Sequence, residues 1–179
     1  MRRTSWLLVP LVLALAIAGG IYAFGTSHTP DYSISLFGRT AAATLPLKSW
    51  LASVILGLAL WQLVLALWMY GKLPGTGEAP RRLPLVHRLS GLALVAVSVP
   101  VAYHCMFAYG VQRFDGRVAV HSIAGCFLYG AVVAKVAIVR TKRLPGWALP
   151  IAGGTLVVVV GLLWYTSALW HYNGANLPV

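Results

Sequence analysis

The residues of this chain whose type and spacing can do chemistry are its histidines. Three of the five lie inside long apolar runs: His87 and His104 in one, His121 in the next. A histidine within a membrane-length apolar run is costly without a partner, and by default marks a functional site. Neutral imidazole is a common metal ligand and is one of the ligands that haem iron takes from protein. Two of the runs open alike, with His87-Arg88-Leu89-Ser90-Gly91 and His121-Ser122-Ile123-Ala124-Gly125. Residues four apart share a helix face, so Gly91 lies under His87 and Gly125 under His121. A glycine there leaves room for a flat macrocycle at the backbone, or for close packing of a neighbouring helix.

The elements that must position these groups are set by composition. The chain is 59% hydrophobic and 9% charged, with a mean hydropathy of +0.80. Its apolar runs approach the ~20 residues that a bilayer span needs. The sequence predicts an all-α polytopic membrane bundle, a single transmembrane domain over residues 1–179, with helices at about 6–24, 49–71, 86–110, 118–139 and 147–171. Residues 26–48, with Pro30 and Pro46, read as the longest loop, and Asp115-Gly116 as a tight turn. Arg2 and Arg3 before an apolar run have the look of a signal peptide, but the run is long for one, and we read it as a retained first helix. With the N-terminus inside, Arg2, Arg3, Lys72, Arg81, Arg82, Arg88, Arg140, Lys142 and Arg143 fall on the cytoplasmic side, whereas Arg39, Lys48, Arg113 and Arg117 fall outside. That bias predicts an N-inside, C-outside protein of the bacterial cytoplasmic (inner) membrane.

This topology gives the histidines their depths. His104, late in helix three, and His121, early in helix four, fall at similar depth on antiparallel neighbours, as two axial ligands of one haem b would. His87 lies 17 residues before His104, about 25 Å along the helix and roughly 100° around it. Pro100 between them is able to kink the helix. Lys135, 14 residues after His121, occupies the place on helix four that a second inner ligand would take, so a second haem at His87 is the open alternative to a snorkelling lysine. His171 reads as an interfacial histidine and an alternative iron ligand, and His28 as a solvated loop residue. Gln62 is expected to bond to a neighbouring helix.

Other classes are set aside by composition. The net charge of +11 comes from basic residues at helix ends, not from a basic amphipathic surface, so no nucleic-acid partner is expected. The three acids, Asp31, Glu78 and Asp115, fall in predicted loops, which argues against an intramembrane carboxylate relay. Cys105 and Cys126 form no Cys-x-x-Cys pair, so covalent haem attachment is not signalled and small packed side chains are expected. The Pro/Gly-rich loop at 72–85 lacks the lysine and the strand of a phosphate loop.

Leu-Val-His-Arg-Leu-Ser-Gly at 85–91, Tyr-His-Cys at 103–105 and Val-His-Ser-Ile-Ala-Gly at 120–125 resemble the membrane b-type cytochromes of the ferric-reductase-like and ascorbate-reducible groups. The resemblance implies that such histidines ligate haem. The whole chain also looks like an uncharacterised bacterial family of small five-helix proteins, most typically at 117–126 and in Leu144-Pro145-Gly146-Trp147-Ala148-Leu149-Pro150. The spacing from His87 to His104 is longer than in the ferric reductases, Lys135 replaces a histidine, and no flavin or nicotinamide domain is evident. The expectation is an electron-transfer subunit rather than a stand-alone enzyme, working in membrane lipid between a quinol donor and a periplasmic redox partner. The alternative is a cofactor-free scaffold or assembly subunit, in which the histidines hydrogen-bond across helices.

Overall fold

In a lipid environment each backbone N–H and C=O must be paired within its own segment, which leaves helices as the form these apolar runs take. A computed structural model describes residues 6–141 and 144–177. It contains α1 (Leu8–Ser27), α2 (Ala41–Met69), α3 (Leu83–His104), α4 (Gly116–Arg140) and α5 (Ala148–Trp164). Two of these helices widen at one end. α3 continues as a π-helical turn, Cys105–Tyr109, and α5 continues as another, Tyr165–Leu169, closed by a last α-turn at Trp170–Tyr172. All five helices are long and apolar enough to cross a membrane. No strand occurs among the described residues.

Local chemistry sets the boundaries. Asp115 caps α4, its side chain accepting from the Val118 N–H at 2.8 Å. Gly110, at φ 66°, ends the π-turn of α3 in a conformation that favours glycine. The largest departure from expectation is the start of α2, at Ala41 rather than near Ser49. Pro46 does not break it. The proline lies inside the helix, where a membrane span tolerates it; Ala41-Ala42-Ala43 before it are strong helix formers, and Thr44 bonds back to the Thr40 carbonyl at 2.9 Å. Lys48 therefore stands on a helix and not in a loop.

Chain reversals place four histidines (His28, His104, His121 and His171) at one end of the bundle, together with the α1–α2 and α3–α4 connections. His87 is at the other end. The helix order is not the expected one of simple neighbours. α1 packs on α4, α2 packs on α3 and α5, and α4 packs on α5, but α3 and α4 stay apart although only a short turn joins them. The core is shared by Ile55 and Ala59 of α2, Ala124 and Leu128 of α4, and Val159 and Val160 of α5.

The loop between α1 and α2 caps the histidine-rich end. The π-turn of α3 frees the Phe107 carbonyl, which takes bonds from the His28 ring at 3.0 Å and from the Asp31 N–H at 3.3 Å. His28 is thus half-buried, stacked on Phe24 and edge-on to Phe107, rather than a solvated loop side chain. The Ser33 hydroxyl and N–H both donate to Asp31 and hold its carboxyl below the usual carboxylate range. Gly110 and Gly25 let the end of α3 come against α1: a Cβ on Gly110 would lie 2.7 Å from the Gly25 carbonyl, which accepts from the Val111 N–H at 2.9 Å.

Candidate functional site

Because α3 and α4 do not close on each other, a cavity of about 670 Å³ remains between them at the histidine-rich end. α2 and α5 supply its other walls, and Ile21 of α1 reaches it. The walls are mostly apolar, with Ile55, Val101, Leu128, Val160 and Leu163 among them. Val99 and Tyr103 line the cavity and are 49% and 57% exposed, so it opens through the side of the bundle. In size and lining it matches a site for a small organic ligand or cofactor.

His121 is the histidine on its wall. The ring Nδ1 lies 3.0 Å from Thr166 Oγ1, in the π-turn of α5. The Thr166 hydroxyl itself donates to the Leu162 carbonyl at 2.8 Å. Its single proton being committed there, Thr166 accepts from His121, which puts the imidazole proton on Nδ1. The Leu163 carbonyl, which adjoins that hydroxyl at 3.3 Å, also lies against the ring. Nε2 then carries the lone pair, the form in which imidazole accepts a hydrogen bond or binds a metal. Gly125, one turn on, also lines the cavity and has only Leu163 at its margin, so its missing side chain widens the space beside His121.

A second polar pair lies deeper in the cavity. Ser98 of α3 and Tyr129 of α4 are joined at 3.1 Å across the gap between their helices. Ser98 also donates to the Val95 carbonyl at 2.8 Å, so the Tyr129 hydroxyl is the donor of the pair. The hydroxyl protons of this pair and of Thr166 are therefore all engaged within the protein, and what these groups and His121 offer a ligand is acceptors.

Two cations stand at the same end. Lys48 Nζ sits 4.7 Å above the Tyr109 ring, and Arg117 lies 3.9 Å over the Trp170 ring while donating to the Thr166 carbonyl at 2.9 Å. Both line the cavity. The sequence reading placed Lys48 and Arg117 among topology markers and did not select Ser98, Tyr129 or Thr166. The usable signal was Arg117 one turn before His121, in a chain with only three acidic residues.

The other selected residues lie elsewhere. His104, 3% exposed, does not line the cavity. Its ring packs edge-on to Tyr109 and against the backbone of Ile34 in the cap, and its Nδ1 is buried without a partner among the described residues. His104 and His121 therefore do not share one wall, although Lys48 stands within electrostatic reach of both. Gly91 faces the Gln62 amide, not open space. Gln62 donates to the His87 carbonyl at 2.7 Å and to Ser90 Oγ at 2.6 Å, the interhelical bond expected of it. His87, at the far end, has a buried Nδ1 without a partner among the described residues and Lys135 as its charged neighbour. His171 packs beside Tyr172 outside the cavity wall. Cys105 and Cys126 both line the cavity as free thiols.

No curated protein and no solved structure matches the chain. A family model does match, over residues 7–179, and by that match the chain belongs to DUF6529, a family of unknown function.

Proposed function

We propose that the protein is a membrane electron-transfer subunit of the b-type cytochrome kind, lying N-inside in the bacterial cytoplasmic membrane, with haem b taken into the cavity between α3 and α4. The observation that carries this reading is the cavity-wall imidazole whose Nδ1 lies 3.0 Å from Thr166 Oγ1; with the proton assigned to Nδ1, Nε2 is left as a ligand atom. The donor chemistry fits haem iron through His121, with Gly125 giving space beside it. His104 faces the cap, so the paired-histidine site expected from sequence is reduced to one cavity imidazole. Bound there, haem b would supply a one-electron centre. The apolar walls keep water from that centre, and Thr166 fixes the orientation of the imidazole. In this reading electrons come from a quinol-class donor in the bilayer and leave towards a periplasmic redox partner at the histidine-rich end.

Oxidised and dithionite-reduced spectra of the protein in mild detergent, with pyridine haemochrome quantification, test the proposal. The expected result is a b-type spectrum at about one haem per chain, lost in His121→Ala and kept in His104→Ala and His171→Ala. About two haems, one of them lost in His87→Ala, would add a far-end site at His87 and Lys135. A protein that stays colourless after haem supplementation during expression overturns the proposal. That result leaves the scaffold reading, which the Gln62–Ser90 and Ser98–Tyr129 bonds between helices favour.

A further inference from the structure

Among the described residues no acidic side chain pairs with the cations at the cavity. Of the three acidic side chains, Asp31 is engaged by Ser33 in the cap, Asp115 caps α4, and Glu78 lies in the α2–α3 connection at the far end. Lys48 and Arg117 instead rest on the faces of Tyr109 and Trp170, and Arg117 on a carbonyl. Both are half-buried, and both border a space with mostly apolar walls. Two like charges beside such a space are unfavourable unless an anion joins them.

We propose that Lys48 and Arg117 form an anion site at the histidine-rich end of the cavity, holding the carboxylate or phosphate of an amphipathic ligand whose apolar body fills the rest of the space. Ring stacking leaves the Lys48 ammonium with donors to offer. The carbonyl bond of Arg117 uses one of the five N–H groups of its guanidinium. The side opening at Val99 and Tyr103 admits such a ligand from the bilayer. Two sources carry this chemistry: the carboxylate arms of haem b, which rests on the function proposed above, and the acidic headgroup of a lipid, which does not.

The full chain in phosphatidylcholine nanodiscs decides between them. One pair of probes is haemin and haemin dimethyl ester, followed by absorbance. The other is phosphatidylglycerol against phosphatidylcholine, followed by native mass spectrometry. The wild type is expected to prefer the acid member of at least one pair by about tenfold or more, the scale of a charge-assisted hydrogen bond. Lys48→Met should remove most of that preference without lowering the melting temperature, while Arg88→Met, at the exposed far end, should leave it unchanged. Because Arg117 also ties α4 to α5 through Thr166, Arg117→Lys is the variant to use there, with a smaller loss expected. No preference in either pair, or a preference that survives Lys48→Met, overturns the anion site. Haemin and its ester binding alike would leave the cytochrome reading standing and the haem arm lost. Binding of neither, with phosphatidylglycerol preferred, would overturn the cytochrome reading and leave the anion site standing on the lipid headgroup.

Discussion

α4 has two faces built to opposite ends. Towards α1 it closes completely. A Cβ on Gly130 would collide with the Ala14 carbonyl and lie 3.0 Å from Ala18 Cβ, so two backbones meet there with nothing between them. Towards α3 it stays open, and the gap is crossed at Ser98–Tyr129 by a single side-chain bond. In lipid there is no water-driven force to close a gap between helices, so contact follows the shape of the side chains alone. The small residues of the α1 face allow contact. On the other face the Tyr129 side chain spans the gap to Ser98 of α3, while His121 turns to Thr166 of α5. The closed seam gives α4 a fixed position, and the open one gives that position a use.

The closed face is the more sensitive to substitution. Gly130→Ala would force a methyl group into the Ala14 backbone, which cannot rotate away as a side chain would. The expected cost is about 3 kcal/mol, read as a large drop in melting temperature in detergent. The same exchange at Gly153 of α5, where nothing lies within 4 Å, should be neutral or raise the melting temperature slightly, since alanine suits a helix better. Equal behaviour of the two variants would mean that α1 and α4 are not in backbone contact.

On the open face the next largest effect should come from Thr166→Val. It keeps the shape of the side chain but removes the acceptor for the His121 Nδ1 proton. Leaving a buried N–H with a poorer partner is expected to cost about 2 kcal/mol. It should also let the proton move between the two ring nitrogens. Nitrogen chemical shifts of His121 report this directly: a single Nδ1–H form in the wild type and in Thr166→Ser, and a mixture in Thr166→Val. A mixed population already present in the wild type would contradict the assignment of Nε2 as the free ligand atom.

Much of this was legible in the sequence. Five spans follow from apolar length, the Gln62 bond from a lone amide in such a span, and the nearness of Lys135 to His87 from a spacing that keeps one helix face. His121 and Gly125 also fall on the cavity, as a four-residue step predicts. The position of His104 was not legible. A 3.6-residue period carried past Pro100 to the start of a π-turn does not fix rotation, and it is the π-turn that brings Phe107 and its neighbours under the cap. Nor does a short α3–α4 turn reveal that the two helices diverge, because that depends on the packing of α1, α2 and α5 around them. Pro46 was misleading, since it lies inside α2 and a membrane helix tolerates an interior proline that would end a helix in water.

The smallest and most discriminating comparison lies in the Ser98–Tyr129 bridge itself. Ser98 already donates to Val95, so Tyr129→Phe leaves it satisfied and should cost about 1 kcal/mol, the net worth of one hydrogen bond. Ser98→Ala instead strands the Tyr129 O–H against an apolar wall, and should cost more than Tyr129→Phe, although each removes a single oxygen. The double variant should be nearly as stable as Tyr129→Phe alone, because the stranded donor is gone. Melting temperatures of the three variants measure this order. If Tyr129→Phe were the costlier, Ser98 would be donating to Tyr129, and the deep end of the cavity would offer a ligand a hydroxyl proton. With the order as expected it offers an acceptor, and a ligand reaching that depth must bring its own donor.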